Sequence, residues 1–274
     1  MNIYTGAQQP RRPLSAVRSR AHPLSLHDHL ISAGAAPLGS RWEPAGSLGQ
    51  VVITPDGQPI RTIITGRRRQ VTGSYSSRKA GRGFPFESMN EQALLMHSEV
   101  DTDVVTFAAQ PCRFEFTVEG RSRVYIADCG RLLSDGTIEI VEVKNDRRHL
   151  QDRDYAAKLE RVEAICEAVG WTFRTVFSHE LFLPKVRHEN VVEIQSQSTA
   201  TFDVADEYVA RVALARGGGR ITLGELADAL GGRQRGMAIA KAMMVHRIVA
   251  IDLERPLCRA SAVTLVTSFV EGVQ

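Results

Sequence analysis

The chain has 274 residues, 43% of them apolar and 24% charged, which is enough to fill a sizeable core, leaves room for two domains and excludes a disordered or fibrous class. No apolar run is long enough for a signal peptide or a membrane span, so the expectation is a soluble cytoplasmic protein with no membrane contact. Net charge is +3, but residues 1–86 carry 12 Lys/Arg against 3 Asp/Glu and the remainder is therefore −6, an asymmetry that suggests a polyanionic partner for the first third.

Residues 1–45 are rich in Pro, Arg, Ser and Gly without a sustained period. They read as a basic arm, mobile or ordered by a partner, with at most a short helix near 26–32. Residues 46–86 form a basic extension of the next domain. In it, short β-like runs at 50–53 and 60–65 flank a Pro55-Asp56-Gly57 turn. Arg67, Arg68 and Arg69 follow, then Arg78, Lys79 and Arg82. This cluster is either a solvated basic loop or a set of phosphate contacts, which position DNA without reading its sequence.

The spacing predicts the first core helix over 87–100, where Ser88 and Glu91 have capping-box spacing. Strands are predicted over 104–107 and 113–118, joined through Gln110-Pro111. Residues 151–169 place Tyr155, Leu159, Val162, Ile165, Cys166 and Val169 at helical spacing before Gly170. A returning strand is expected over 171–182. Residues 185–200 are polar, with Ser and Gln toward the end, and read as a linker. The last part, 201–274, predicts helices over 203–215, 222–230 and 233–246, then strands at 248–251 and 262–266. That order resembles a small winged-helix domain, a fold used for DNA binding and protein docking alike. Arg233, Gln234, Arg235 and Lys241 are its candidate DNA contacts, tempered by acids at Glu225, Asp228, Asp252 and Glu254.

The centre of the chain is the stretch 121–144, RSRVYIADCGRLLSDGTIEIVEVK. It reads as a hairpin in which strands at 122–126 and 137–143 are joined through Ser134-Asp135-Gly136. Alternation puts Asp128 on the face of Val124 and Ile126, and Glu142 and Lys144 on that of Ile138 and Ile140. A three-residue loop with Gly136 in the left-handed position sets Asp128 opposite Glu142, with the carboxylates about 5 Å apart. At an effective dielectric near 20 they repel by roughly 3 kcal/mol. Either the face is solvated, or something positive sits between them. Lys144 serves in part, and a hard divalent ion serves better. The four cysteines, Cys112, Cys129, Cys166 and Cys258, form no Cys-x-x-Cys pair, and no histidine stands at ligand spacing. Neither a disulfide frame nor a zinc site is expected.

The order Asp128, hairpin, Glu142-Val143-Lys144 resembles the PD-(D/E)XK nuclease motif. Its setting is more specific. Ser77-Arg78-Lys79, Phe86 to Glu91, Val104-Val105, Ala109-Gln110-Pro111, Tyr125 to Asp128, Asp135-Gly136, Val141 to Lys144 and Gly170-Trp171 together resemble the TnsA-type transposon endonucleases. Ala127 departs from the wider motif, which has Pro there, and Glu142 stands where some TnsA-type members carry Gln. The resemblance implies an α/β, restriction-endonuclease-like mixed sheet flanked by helices over 87–184, followed by the winged helix. It implies a metal-dependent DNA endonuclease that hydrolyses phosphodiester bonds at the 5′ ends of a transposon. Mg2+ or Mn2+ would be held by Asp128, Glu142 and the Val143 carbonyl, and Lys144 would act on the water or the phosphate. Glu91 would be the third carboxylate, with Glu87 its substitute and the capping role the alternative reading. Gln110 would lie near the site, and the 67–82 cluster would meet phosphates. The implied partners are double-stranded DNA at the transposon ends, a DDE-type transposase that works on the 3′ ends, and an AAA+ ATPase regulator. Two alternatives stay open: a restriction or repair nuclease of the same fold, and a non-catalytic winged-helix DNA-binding regulator.

Overall fold

The structure is a computed structural model that describes residues 25–40, 48–61 and 71–266. It is a mixed α/β protein. Arg67, Arg68 and Arg69, most of the expected 60–65 strand and most of the N-terminal arm lie outside the described residues.

The described chain opens on helix α1 (Leu26–Ser32), started by a reciprocal cap between Ser25 and Asp28. Strands β1 (Ala36–Pro37) and β2 (Gly49–Ile53) follow, then β3 (Gly73–Ser77) and β4 (Arg82–Phe86), and helix α2 (Met89–Val100). Next come β5 (Val104–Ala109), β6 (Arg113–Val118), β7 (Arg121–Ile126), β8 (Cys129–Leu133) and β9 (Ile138–Lys144). A short 3-10 turn, Arg147–Gln151, leads into α3 (Arg153–Ala168), β10 (Thr172–Phe177), α4 (Ser178–Phe182) and α5 (Lys185–Ser196). The final part holds α6 (Val204–Arg216), β11 (Arg220–Thr222), α7 (Leu223–Ala229), α8 (Arg233–Val245), β12 (Val249–Ile251) and β13 (Ala262–Leu265).

The central sheet has the order β10-β9-β8-β5, with β10 parallel to β9 and the other pairs antiparallel. Strands β5, β8 and β9 are largely buried on both faces, as covered strands are, whereas the edge strand β10 exposes Thr172 and Arg174. On one face Phe107, Ala109, Val141 and Val143 pack with Leu94 and Leu95 of α2 and with Phe84 and Phe86 of β4. On the other, Leu132, Ile138 and Ile140 meet Leu159, Val162 and Ile165 of α3 and a second sheet, β1-β2-β6-β7. Helices thus cover opposite faces of the sheet. Truncating a fully buried leucine such as Leu94 would cost about 2–5 kcal/mol.

The described parts of the 46–86 extension belong to this core. The stretch that carries Arg78, Lys79 and Arg82, read as a solvated basic loop or a set of phosphate contacts, is the β3–β4 hairpin, whose alternation buries Tyr75, Ser77, Phe84 and Phe86. Two further expectations change. The strand over 171–182 ends at Phe177, where Glu180 accepts the Phe177 amide and starts α4. The 185–200 linker is the helix α5, which buries Asn190, Val191 and Ile194. Its polarity is on one side, and Asn190 donates to the carbonyls of Leu253 and Arg255 and accepts from Leu257.

The last part is a three-helix unit closed by the antiparallel sheet β11-β13-β12. Reciprocal caps start two of its helices, between Asp203 and Asp206 and between Thr222 and Glu225. Helices α7 and α8 touch at Gly236, where an added Cβ would sit 1.9 Å from the Ala227 carbonyl oxygen. The unit shares its core with Val100 of α2 and with α5. Arg247 also donates to the Thr102 carbonyl, so the two halves are packed together.

Candidate functional site

The hairpin that carries the acids forms with a different first strand. Strand β7 pairs with β6 in the second sheet, so Val124 is exposed instead of buried. The partner of β9 is β8, whose five residues follow Asp128 directly. Gly130 lets this strand run under Pro111 and Leu26, where a Cβ would come within 2.8 Å of the Pro111 ring.

The register nevertheless comes out as the turn chemistry requires. Leu133 donates to Thr137, Gly136 adopts φ +88°, and Cys129 faces Val141. One step further, past the end of the ladder, Asp128 faces Glu142. Asp128 sits in the crossing between the two sheets, and its Oδ2 accepts the Val143 amide at 2.8 Å. The side chain thus stands in for a missing strand at the edge of β9.

Glu142 is 3% exposed. Tyr125 and Tyr155 donate their phenol hydrogens to its two oxygens, and Lys144 forms an ion pair with it. A buried carboxylate demands such partners. Burial first, and then the charge of Glu142, push the Asp128 carboxyl well above its usual range. The Val143 amide pulls it down, Glu91 raises it and Lys144 lowers it. Burial and the Glu142 charge also raise both phenols, which keeps them neutral donors. Asp128, Glu142, Glu91 and Lys144 therefore share one electrostatic neighbourhood.

Glu91 lies in the first turn of α2. Its carboxylate accepts the Glu87 amide and the Ser88 hydroxyl, while Ser88 Oγ accepts the Glu91 amide. Glu91 thus serves the helix start, through the Glu87 amide in place of the Ser88 amide that a capping box would use, and its charge still acts on Asp128. Burial leads in raising the Glu91 carboxyl. Glu87 pairs with Arg61 at 3.1 Å. Gln110 is buried, with φ +47° and an Oε1 that has no hydrogen-bond partner among the described residues, and its backbone N–H donates to the Asp128 carbonyl. A left-handed, non-glycine residue holds strain of about 1–3 kcal/mol, and such residues cluster at functional sites.

The basic cluster is only partly a surface. Arg78 is exposed. Lys79 is buried, and its ammonium donates to the Ser98 and Asp101 carbonyls at the end of α2. Burial lowers its amine to about 7. Lys79 therefore caps a helix and is withdrawn as a phosphate contact. Arg82 donates to the Gly57 carbonyl and lies over the Phe84 ring, which ties it to the hairpin. In the last unit Lys241 is buried against Glu193 and Arg235 is paired with Asp206, leaving Arg233 and Gln234 as exposed candidates on α8.

Residues to which the sequence reading gave no role at the site also stand here. Tyr125, Tyr155 and Lys158 surround Glu142, and Tyr155 and Lys158 share a face of α3 at i, i+3 spacing. Tyr155 had been legible only as a core position.

The donor set is oxygen alone. Among the described residues no group of three or more His, Cys, Asp and Glu side chains is gathered to hold a metal. A cation at this site would rest on Asp128, Glu142, the Val143 carbonyl and water, a composition that suits Mg2+. Asp128 Oδ1 has no hydrogen bond among the described residues, and the like charge of Glu142 makes a cation favourable there. The residues fit. Among the described residues no helix is long and apolar enough to cross a membrane. Compared with known proteins, the chain matches no protein-family model and no curated protein.

Proposed function

We propose that the chain is a divalent-metal-dependent DNA endonuclease of the PD-(D/E)XK kind, acting in transposition in the manner of the TnsA-type enzymes. The observation that carries this reading is the meeting of Asp128, Glu142 and Lys144 at one edge of β9, with Glu142 raising the Asp128 carboxyl. A mixed sheet with α2 and α3 on opposite faces supports the same reading. The three-helix unit with its small sheet is read as a winged helix.

Asp128, Glu142 and the Val143 carbonyl would hold Mg2+ or Mn2+. The bound ion supplies Lewis acidity toward the phosphate and activation of the attacking water. Lys144, released from Glu142, sets a point charge where the phosphate oxygens gain negative charge, or orients the water. The phenols of Tyr125 and Tyr155 hold the Glu142 carboxylate in place. Glu91 adds a third negative charge and keeps the start of α2 fixed. Gln110 braces the backbone at Asp128. The substrate is double-stranded DNA at transposon ends, cut at the 5′ side. A DDE-type transposase and an AAA+ ATPase regulator are the proposed partners.

The test is nicking of supercoiled plasmid and of transposon-end duplexes with Mg2+ or Mn2+. Asp128→Ala and Lys144→Ala should abolish nicking and spare DNA binding. Undiminished cutting by either variant removes the assignment.

A further inference from the structure

Lys158 and Arg123 are cations of this region to which no role in cleavage has been given, and Lys158 is the one in contact with the site's tyrosines. It projects from α3 one turn after Tyr155, and its Nζ lies 4.8 Å from the Tyr155 ring centroid and 5.8 Å from that of Tyr125. Lys144 Nζ lies 4.8 Å from the same Tyr155 ring. Two ammonium groups thus share one phenol whose hydroxyl is bonded to Glu142. Lys158 forms no ion pair among the described residues, and it is half-buried. Glu142 and, more weakly, Asp152 attract its charge, while Lys144 and Arg123 repel it. Burial is the largest of the influences that lower its amine.

The balance of charge decides what this corner takes. Glu142 is already met by two phenols and Lys144. Arg123 and Lys158 are left over as neighbouring cations, partly out of water, beside an aromatic wall. A lysine held over neutral rings, with the charge of Arg123 also acting on it, is relieved by an anion with several oxygens. Water alone relieves it less, because half-burial has already removed part of its hydration. A phosphodiester has that form, and lysine meets it as a point charge.

We infer that Lys158, with Arg123 beside it, binds a backbone phosphate of the DNA strand next to the one being cut, and so positions that strand over the Asp128 and Glu142 pair. The inference rests on the nuclease reading for its geometry. It makes Lys158 a positioning residue, and moves part of the DNA contact from the N-terminal basic cluster to α3.

The test uses the full chain and a fluorescein-labelled duplex, with affinity measured by anisotropy across a salt series in EDTA and nicking measured separately with Mg2+. Lys158→Met should weaken binding by about tenfold and flatten the log K against log salt slope by about 0.9, the loss of one phosphate contact. Lys158→Arg should restore most of both. If the wild type cuts and the Met variant matches it in affinity and slope, the Lys158 inference falls and the nuclease reading stands. If the wild type binds through Lys158 but never cuts, the nuclease reading falls and the phosphate contact stands. Thermal melting of each variant checks the fold, and a folded Met variant with an unchanged slope overturns the proposal.

Discussion

Replacing Asp128 by Asn should make the metal-free protein more stable. The substitution keeps an oxygen to accept the Val143 amide, which Asp128 Oδ2 does at 2.8 Å, and removes only the charge. Opposed across a strand pair, the acid side chains stand about 5 Å apart, and at an effective dielectric near 20 their repulsion is about 3 kcal/mol. Lys144 and residual water offset part of it, so a net gain of about 1–2 kcal/mol is expected, or about 3–6 °C in Tm for a chain of this size. The sign with pH follows from the raised Asp128 carboxyl. The folded protein holds that proton more tightly than the unfolded chain. The stability this supplies is full below the unfolded value near 4 and is lost as pH rises through the higher folded value. The advantage of Asp128→Asn should therefore be small in acid and grow toward neutrality. Adding Mg2+ should raise the wild-type Tm and leave the variant's unmoved. Melting curves in EDTA and in Mg2+ across pH supply the measurement. A variant no more stable than the wild type at neutral pH, or a gap independent of pH, would refute the reasoning.

Lys79→Ala should destabilise the protein by about 2–3 kcal/mol in chemical denaturation, because it leaves the Ser98 and Asp101 carbonyls without their charged donor. The salt slope of its DNA binding should stay as in the wild type, and a flattened slope would return Lys79 to the phosphate contacts. Glu91→Gln keeps one oxygen to accept the Glu87 amide and turns an NH2 donor toward the Ser88 hydroxyl oxygen, so its stability should fall by about 1 kcal/mol. Its nicking rate should fall by at least tenfold if the charge acts on the site, whereas full activity would confine Glu91 to capping.

Short-range chemistry made much of this legible in sequence. The helix starts at Ser88 and Thr222 follow from side chains that bond the next turn, whereas the caps at Ser25 and Asp203 went unread. The Asp128 to Glu142 register follows from the Ser134-Asp135-Gly136 turn. It held although the first strand was misassigned, because the count from Gly136 is the same whichever sheet residues 121–126 join. What stayed hidden depends on distant partners. Strands β7 and β8 are one β-like run in sequence, and only the packing of Gly130 against Pro111 and Leu26 shows where the chain changes sheets. Helix α5 has too polar a surface to announce itself, and its buried side is fixed by contacts with Leu253 and Arg255. Lys79 looks like any basic-loop residue until the end of α2 folds over it. Lys158 likewise carries no local mark. Its neighbours Tyr125 and Lys144 lie on other strands, and only the packing of α3 brings them together.

The central claim is that Asp128 and Glu142 form one cation site beside Lys144, and the most direct measurement is anomalous diffraction from crystals soaked in Mn2+. The account predicts a peak bonded to Asp128, Glu142 and the Val143 carbonyl, with the Lys144 ammonium moved off Glu142. Mn2+ bound elsewhere, with Lys144 still paired to Glu142 and nothing at Asp128, would contradict it.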